Sequence, residues 1–376
     1  MGKLSAFGKR VGEMGFAAGG GVINWFPGHM AAATRAIRDR LKLADLVIEV
    51  RDARIPLSSA NEDLQQHLSR KRRVVALNKK DLANPNIIHH WIRHFESFKQ
   101  DCLPINAHSK SSVNQLLSLV ELKLREVISR EPTLLVMVVG VPNVGKSALI
   151  NSISQVANTR FPVLEKAKRA TVGPFPGVTQ DIAGFKIANH PSIYVLDTPG
   201  VLVPSIPDIE TGLKLALTGA VKDSIVGEFR LAQYLLAVLN VRKTPLHWDR
   251  LMRLNSNESP NELGGAIKTV LKDSIPNRRN PKTASEVLYI EDLVKKVQRT
   301  LYITFSEFEG NLEEESELES LINKQLAALQ VTFRIPHKDS DEANLMVSKK
   351  LLILFRTGKL GPFILDDLSE ASKPLQ

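Results

Sequence analysis

The sequence predicts an α/β protein, a doubly wound and mostly parallel sheet carrying a phosphate-binding loop, followed by a mainly α-helical C-terminal domain. Three observations predict it. Short apolar runs alternate with helix-periodic segments over the first half of the chain, as βαβ units require. The stretch Val139 to Ile150, VGVPNVGKSALI, sets Gly140, Gly145, Lys146 and Ser147 at the spacing GxxxxGKS between an apolar run and a helix-compatible segment. That is the strand, loop and helix start in which backbone N–H groups can face a phosphate. Beyond Pro207 the short strand-like runs give way to apolar residues at helical period.

Composition bounds the rest. A chain of 376 residues is long enough for two domains. Its 43% hydrophobic and 24% charged content are those of an ordinary globular protein. The apolar run Leu134 to Val141 is far too short to cross a bilayer, so no membrane span is expected, although peripheral association stays open. The single cysteine, Cys102, excludes an intrachain disulfide and a cysteine-rich zinc site and reads as a small buried apolar residue. A net charge of +10 and a pI near 9.6 call for an acidic partner. The surplus lies in residues 1–204, whereas residues 205–376 are nearly balanced, with seven of their acids in the run Glu307 to Glu319.

Taken in order, residues 1–23 form an N-terminal extension. Lys3, Lys9 and Arg10 against the lone acid Glu13, with Leu4, Phe7, Val11 and Met14 at helical spacing, read equally as a mitochondrial targeting segment or a plain extension. Residues 24–204 then carry the α/β pattern. Pro27 and Gly28 stop an extended piece and set His29 near the start of a helix over Ala31 to Leu43. Strands are expected at Leu46 to Val50, Val74 to Leu77, Cys102 to Ile105, Leu134 to Val139, Ile182 to Ile187 and Ile193 to Leu196. Helices are expected at Asn61 to Leu68, residues 86–99 and Val113 to Ile128. The basic run Arg70 to Arg73 reads as a solvated approach to a strand or as a nucleic-acid contact. Residues 205–376 form the helical domain, with segments at Glu228 to Leu239, Val287 to Leu301, Leu318 to Leu329 and Met346 to Phe355.

The chemistry follows from four short motifs. In the phosphate loop, Asn143, Val144, Gly145, Lys146, Ser147 and Ala148 surround the phosphates; Lys146 reaches the outer ones and the Ser147 hydroxyl ligates magnesium. Asn78-Lys79-Lys80-Asp81 fits the NKxD pattern. A carboxylate at Asp81 accepts both N1–H and the exocyclic amine of guanine, a pairing adenine cannot offer, while Asn78 braces the loops and the Lys79 stem lies along the base. Asp197 to Gly200 supplies DxxG, with Asp197 near magnesium and the Gly200 N–H toward the γ-phosphate, and Thr179 is the loop threonine that closes on both. Asn106-Ala107 stands where a backbone contact to the base is expected. Together they make GTP or GDP with magnesium the expected ligands. The order is the informative part, because NKKD precedes the phosphate loop; a sheet gathers its loops at one edge whatever the chain order.

The chain thereby resembles the circularly permuted GTPases of the YlqF/RbgA family, and among them the mitochondrial ribosome-associated or DAR GTPases. The matching residues are Trp25 to Met30, Asp52-Ala53-Arg54, the motifs above, Pro176 to Thr179 and Thr211 to Lys214, with a weaker echo at Arg356 to Gly361. The resemblance implies a GTP hydrolase, monomeric, that binds a late precursor of the large ribosomal subunit and its rRNA in the mitochondrial matrix or at the inner-membrane periphery. It implies that Lys146, Thr179 and Gly200 serve catalysis. Val201 stands where Ras-like enzymes place a water-orienting glutamine, so intrinsic hydrolysis is expected to be slow. The resemblance points to His29 for that task, against a structural role at a helix start. Asn143 matches the asparagine that helps hold potassium in cation-activated relatives. A GTP-dependent signalling or tRNA-modification protein and a nucleotide-binding scaffold remain the rival readings.

Overall fold

The computed structural model describes residues 28–128, 133–160, 183–189, 192–198, 200, 209–248, 284–336 and 340–368. They divide into two compact units. The α/β unit takes in the described residues of Ile23–Pro207 with Thr218–Lys222 and Pro362–Gln376, and the helical unit those of Asp208–Leu217 and Asp223–Gly361. The first division falls beside the boundary read near residue 205, but the α/β unit also includes two later segments.

The α/β unit begins with α1 (Gly28–Leu41) and β1 (Leu46–Asp52), and continues through α2 (Glu62–Leu68), β2 (Arg73–Asn78), a 3₁₀ turn (Lys80–Leu82), α3 (Pro85–Ser97) and β3 (Asp101–Pro104). Then come α4 (Lys110–Ile128), β4 (Thr133–Val139), α5 (Lys146–Arg160), β5 (Ala183–Asn189) and β6 (Ser192–Asp197). The strands form one sheet in the order β3-β2-β1-β4-β6-β5, all parallel except the edge strand β5. Every residue of β1 is buried, as expected for a central strand covered on both faces. The winding runs outward from β1 to β3 and then restarts at β4 on the other side of β1. The gap beyond the C-terminal ends of β1 and β4 is therefore the topological switch point, where such sheets bind ligands.

Helix registers follow from caps and periodicity. Asn61 caps α2 by accepting from the Leu64 N–H, and Asn84 caps α3, whose first residue is Pro85. One face of the sheet packs Val47, Met137 and Val139 against Ile37 and Leu41 of α1 and Leu64 and Leu68 of α2. The other packs Val75 and Leu77 against Ile88, Trp91 and Phe95 of α3, together with Ala53, Ala83 and Ile364. Cys102 packs beside this second cluster, and burial pushes its thiol up to about 12, so it serves as an inert apolar residue.

Glu49, buried in the middle of β1, bonds Arg51 at 2.8 Å, Arg73 at 3.1 Å and Gln65 at 3.0 Å. Burial pushes its carboxyl up, but the two guanidinium groups outweigh that and hold it below the usual range. Arg73 of the basic run is thus structural, while Arg70 and Arg72 stay exposed.

The helical unit contains α6 (Ile209–Leu217), α7 (Asp223–Val226), α8 (Glu228–Val241), α9 (Ala284–Ser306), α10 (Glu315–Thr332) and α11 (Ser340–Arg356). Leu231, Leu235, Leu236 and Leu239 of α8 are fully or nearly fully buried, as its apolar period requires. Asn240 and Gln325, both 0% exposed, exchange amide hydrogen bonds of 2.8 and 2.9 Å. The acidic run enters α10, whose first turn sets Glu315 and Glu317 at the positive end of the helix dipole. No helix among the described residues is long and apolar enough to cross a membrane.

Candidate functional site

Five loops converge beyond the C-terminal edge of the sheet. The loop after β4 folds as it does because three residues accept unusual backbone. Gly140 and Gly145 adopt φ of +152° and +94°, and a side chain at either would collide with Val50 O or with Asn78 Nδ2. Asn143, at φ 58°, takes the left-handed conformation that asparagine tolerates. The chain then enters α5 at Lys146. That side chain is buried, and its Nζ donates to the carbonyls of Gly140 at 3.0 Å and Val141 at 2.9 Å. Burial lowers its ammonium to about 8, against the opposing charge of Asp197. A phosphate would offer that cation a stronger partner than two neutral carbonyls.

Asp197, at the end of β6, stands opposite. Ser147 Oγ donates to its Oδ2 at 3.2 Å, and its buried Oδ1 has no hydrogen-bond partner among the described residues. Burial raises its pKa, although Lys146 and Ser147 pull the other way. A hydroxyl and an orphaned carboxylate oxygen are hard donors that suit magnesium, which in nucleotide sites uses few protein ligands and takes phosphate oxygens and water for the rest. Next along the chain, Thr198 anchors DTPG by donating to Val138 O at 2.7 Å. Gly200 lies so close to Pro142 that an added Cβ would sit 2.6 Å from its Cα and 3.0 Å from Lys146 Nζ. The structure thus draws Asp197, Gly200, Lys146 and Ser147 into one cluster.

The NKKD turn is bonded to the phosphate loop through its first two residues. Asn78, 2% exposed, donates Nδ2 to Val144 O at 2.8 Å and accepts the Ala107 N–H on Oδ1 at 2.9 Å. One amide therefore fixes both the phosphate loop and the Asn106-Ala107 loop. Asn106 closes its own turn by accepting the His108 N–H at 2.9 Å. Lys79, held at φ 63°, gives its ammonium to Asp52 Oδ2 at 2.9 Å and to Asn143 O at 2.7 Å. Asp81 is exposed in the 3₁₀ turn that follows, and Ala148 continues the first turn of α5 half-buried. His29 is the second residue of α1, and its side chain, like Thr179 and Val201, lies outside the described residues.

Sequence reasoning gave no role to the loop after β1. There Arg54 donates Nε to Asp52 Oδ1 at 3.0 Å and NH2 to Oδ2 at 2.8 Å, with both side chains almost fully buried. Burial pushes Asp52 up, but Arg54 and Lys79 overwhelm that and hold it far below the ordinary carboxylate range. The available signal was period: residues 52 and 54 fall on one side of an extended chain, so opposite charges there pair readily. Two further contacts had no sequence signal, the bond from Asn143 Nδ2 to Gly219 O at 2.8 Å and the packing of residues 362–368.

Fold and site together define a phosphate-loop nucleotide-binding protein whose base-recognition turn precedes its phosphate loop. Residues 135–260 match a family model described as 50S ribosome-binding GTPase. The chain is 69% identical to "Short integuments 2, mitochondrial" of Arabidopsis thaliana, over 96% of this chain and 93% of that protein. It is 40% identical to "DAR GTPase 2, mitochondrial" of the same plant, over 93% and 92%. "Ribosome biogenesis GTPase A" of Bacillus pumilus is 38% identical over 58% of this chain and 75% of its own. The crystal structure of GNP-bound YlqF from T. maritima shares 22% identity and a TM-score of 0.40 over 79% of this chain and 94% of its own. The protein belongs to the YlqF/RbgA family of circularly permuted GTPases, in the branch that includes the mitochondrial DAR GTPases.

Proposed function

We propose that this GTPase binds the precursor of the mitochondrial large ribosomal subunit and couples GTP hydrolysis to its late maturation. The observation that carries the reading is the wiring of the site: Asn78 and Lys79 join the base turn, the Asn106-Ala107 loop and the phosphate loop in one hydrogen-bonded body. The names of the relatives supply the ribosome and the organelle. The basic surplus of residues 1–204 suits rRNA, whose phosphates lysine and arginine neutralise.

In this reading Asp81 selects guanine and the backbone of residues 143–148 surrounds the phosphates. Lys146 leaves its two carbonyls for the outer phosphates. Ser147 and Thr179, with Asp197 behind them, would hold magnesium, which when bound would supply positive charge beside the phosphate oxygens. Water attacks the γ-phosphorus, the bond to the β-γ bridging oxygen breaks, and GDP and inorganic phosphate leave. His29 orients that water in place of the missing glutamine. The Asn143 carbonyl oxygen contributes to a potassium site, which equal hydrolysis rates in sodium and potassium would disprove. The protein acts as a monomer.

The deciding experiment measures phosphate release with and without mitochondrial large subunits, in the parent protein and in His29→Ala. Stimulation by subunits, lost in the variant, is expected. Absence of stimulation in the parent would instead indicate a scaffold or a factor for another RNA.

A further inference from the structure

The chain returns to the α/β unit at Pro362, and residues 363–366 fasten to two loops of the nucleotide site. The Phe363 N–H donates to Leu82 O at 3.0 Å, the last residue of the turn that carries Asp81. The Leu365 N–H donates to Arg54 O at 2.7 Å. Ile364, between them and 2% exposed, fills the core beside Ala53, Leu77 and Ala83. Asp366 is 3% exposed, and its carboxylate accepts the backbone N–H groups of Leu57 at 2.8 Å and Ser58 at 2.9 Å and the Ser58 hydroxyl at 2.6 Å.

The strap therefore touches both ends of one network. The loop it closes, residues 52–59, presents Asp52 to Lys79, and Lys79 in turn holds the phosphate loop at Asn143 O. The turn it holds at Leu82 carries Asp81, read above as the guanine-selecting carboxylate. Three donors aimed at one buried carboxylate form a charge-assisted clamp, stronger than neutral bonds and fixed in direction. Such a clamp exceeds what is needed to bury one isoleucine. It orients a loop whose charged residues pair with each other and, through Asp52, with Lys79 of the neighbouring turn.

We propose that Asp366 is a positioning residue for guanine-nucleotide binding, acting through the 52–59 loop and, with Phe363, through the Asp81 turn. The inference rests on the reading of Asp81 as the guanine-selecting group. It predicts a specific signature. Loosening the strap weakens GTP binding and blunts discrimination against inosine triphosphate, which lacks the exocyclic amine, while the chemical step is untouched.

The test uses full-length protein and compares KM and kcat for GTP and ITP in the parent, Asp366→Asn, Asp366→Glu and Ser58→Ala. Asp366→Asn is expected to raise KM for GTP by about tenfold, leave kcat within about twofold and lower the preference for GTP over ITP. Asp366→Glu, which keeps the carboxylate, restores part of the loss, as a merely space-filling role would not. A folded Asp366→Asn protein with parental KM and parental discrimination overturns the proposal. Should that variant not fold, Ser58→Ala decides, with about a threefold rise in KM expected and an unchanged KM overturning it. Asp81→Asn keeps the two readings apart: if it does not shift preference toward xanthosine triphosphate, the reading of Asp81 fails. If it does shift and the strap variants behave as the parent, only the strap proposal fails.

Discussion

The loop after β1 and the loop after β4 leave neighbouring strands at the same sheet edge, yet they treat charge in opposite ways. Asp52 and Arg54 neutralise each other in a bidentate pair, with Lys79 as a third member, so both oxygens of the Asp52 carboxylate are engaged within the protein. In the second loop Lys146 has two neutral carbonyls, and facing it Asp197, at the end of β6, keeps one buried oxygen that accepts no hydrogen bond among the described residues. The depressed Asp52 and the raised Asp197 record the same contrast. A carboxylate fully engaged by internal cations serves as scaffold; one with an open buried oxygen beside a cation held only by neutral carbonyls is prepared for a charged ligand and its metal.

That contrast can be broken by substitution. Arg54→Ala leaves the buried Asp52 carboxylate with Lys79 as its one remaining cation, so the α/β unit should lose about 3 kcal/mol, read as a fall in its urea midpoint. If the variant kept parental stability, the scaffold reading would fail. Lys146→Ala should do the reverse: GTP affinity drops about 100-fold by calorimetry, while the nucleotide-free protein keeps or gains stability because a buried cation is gone.

A pH titration sharpens the same point. Lys146 sits near 8 in the folded chain against 10.5 unfolded, so between these values the unfolded chain holds the proton that the folded chain has released. Stability of the nucleotide-free protein should therefore rise with pH through that window, by roughly 1.5 kcal/mol near pH 9, as GTP affinity falls. Lys146→Ala should flatten both curves. The smallest effect is expected from Ser147→Ala, which should weaken magnesium-dependent nucleotide binding about fivefold and leave magnesium-free binding unchanged.

Much of this was legible in the sequence because it depends on local spacing. The phosphate loop, NKKD and DTPG are contiguous, and each needs a particular backbone at a strand end, so residues 78, 79, 106, 107, 143–147, 197 and 200 could be named before their geometry was known. The strands were read from apolar runs, though β1 continues through Arg51 and Asp52 because Glu49 of the same strand neutralises Arg51 while Arg54 and Lys79 neutralise Asp52. Helix α6 and the short α7 were not read as helices; α6 is buried almost throughout and lacks the polar face that periodicity needs. Gly219 O and Asp366 were invisible for another reason. Their partners lie 76 and about 308 residues away, and no pattern in a single chain reports pairing over that distance.

Placing Ile364 in the core has a consequence for synthesis and for protein engineering. A ribosome translating this message must make residues 223–361 of the helical unit before Ile364 emerges, so the nascent nucleotide domain stays incomplete until that segment has been made. A shortened clone ending at Pro207 would lack Ile364 and Asp366. Isolating the nucleotide domain therefore calls for excising residues 223–361 and splicing the strap back by a linker.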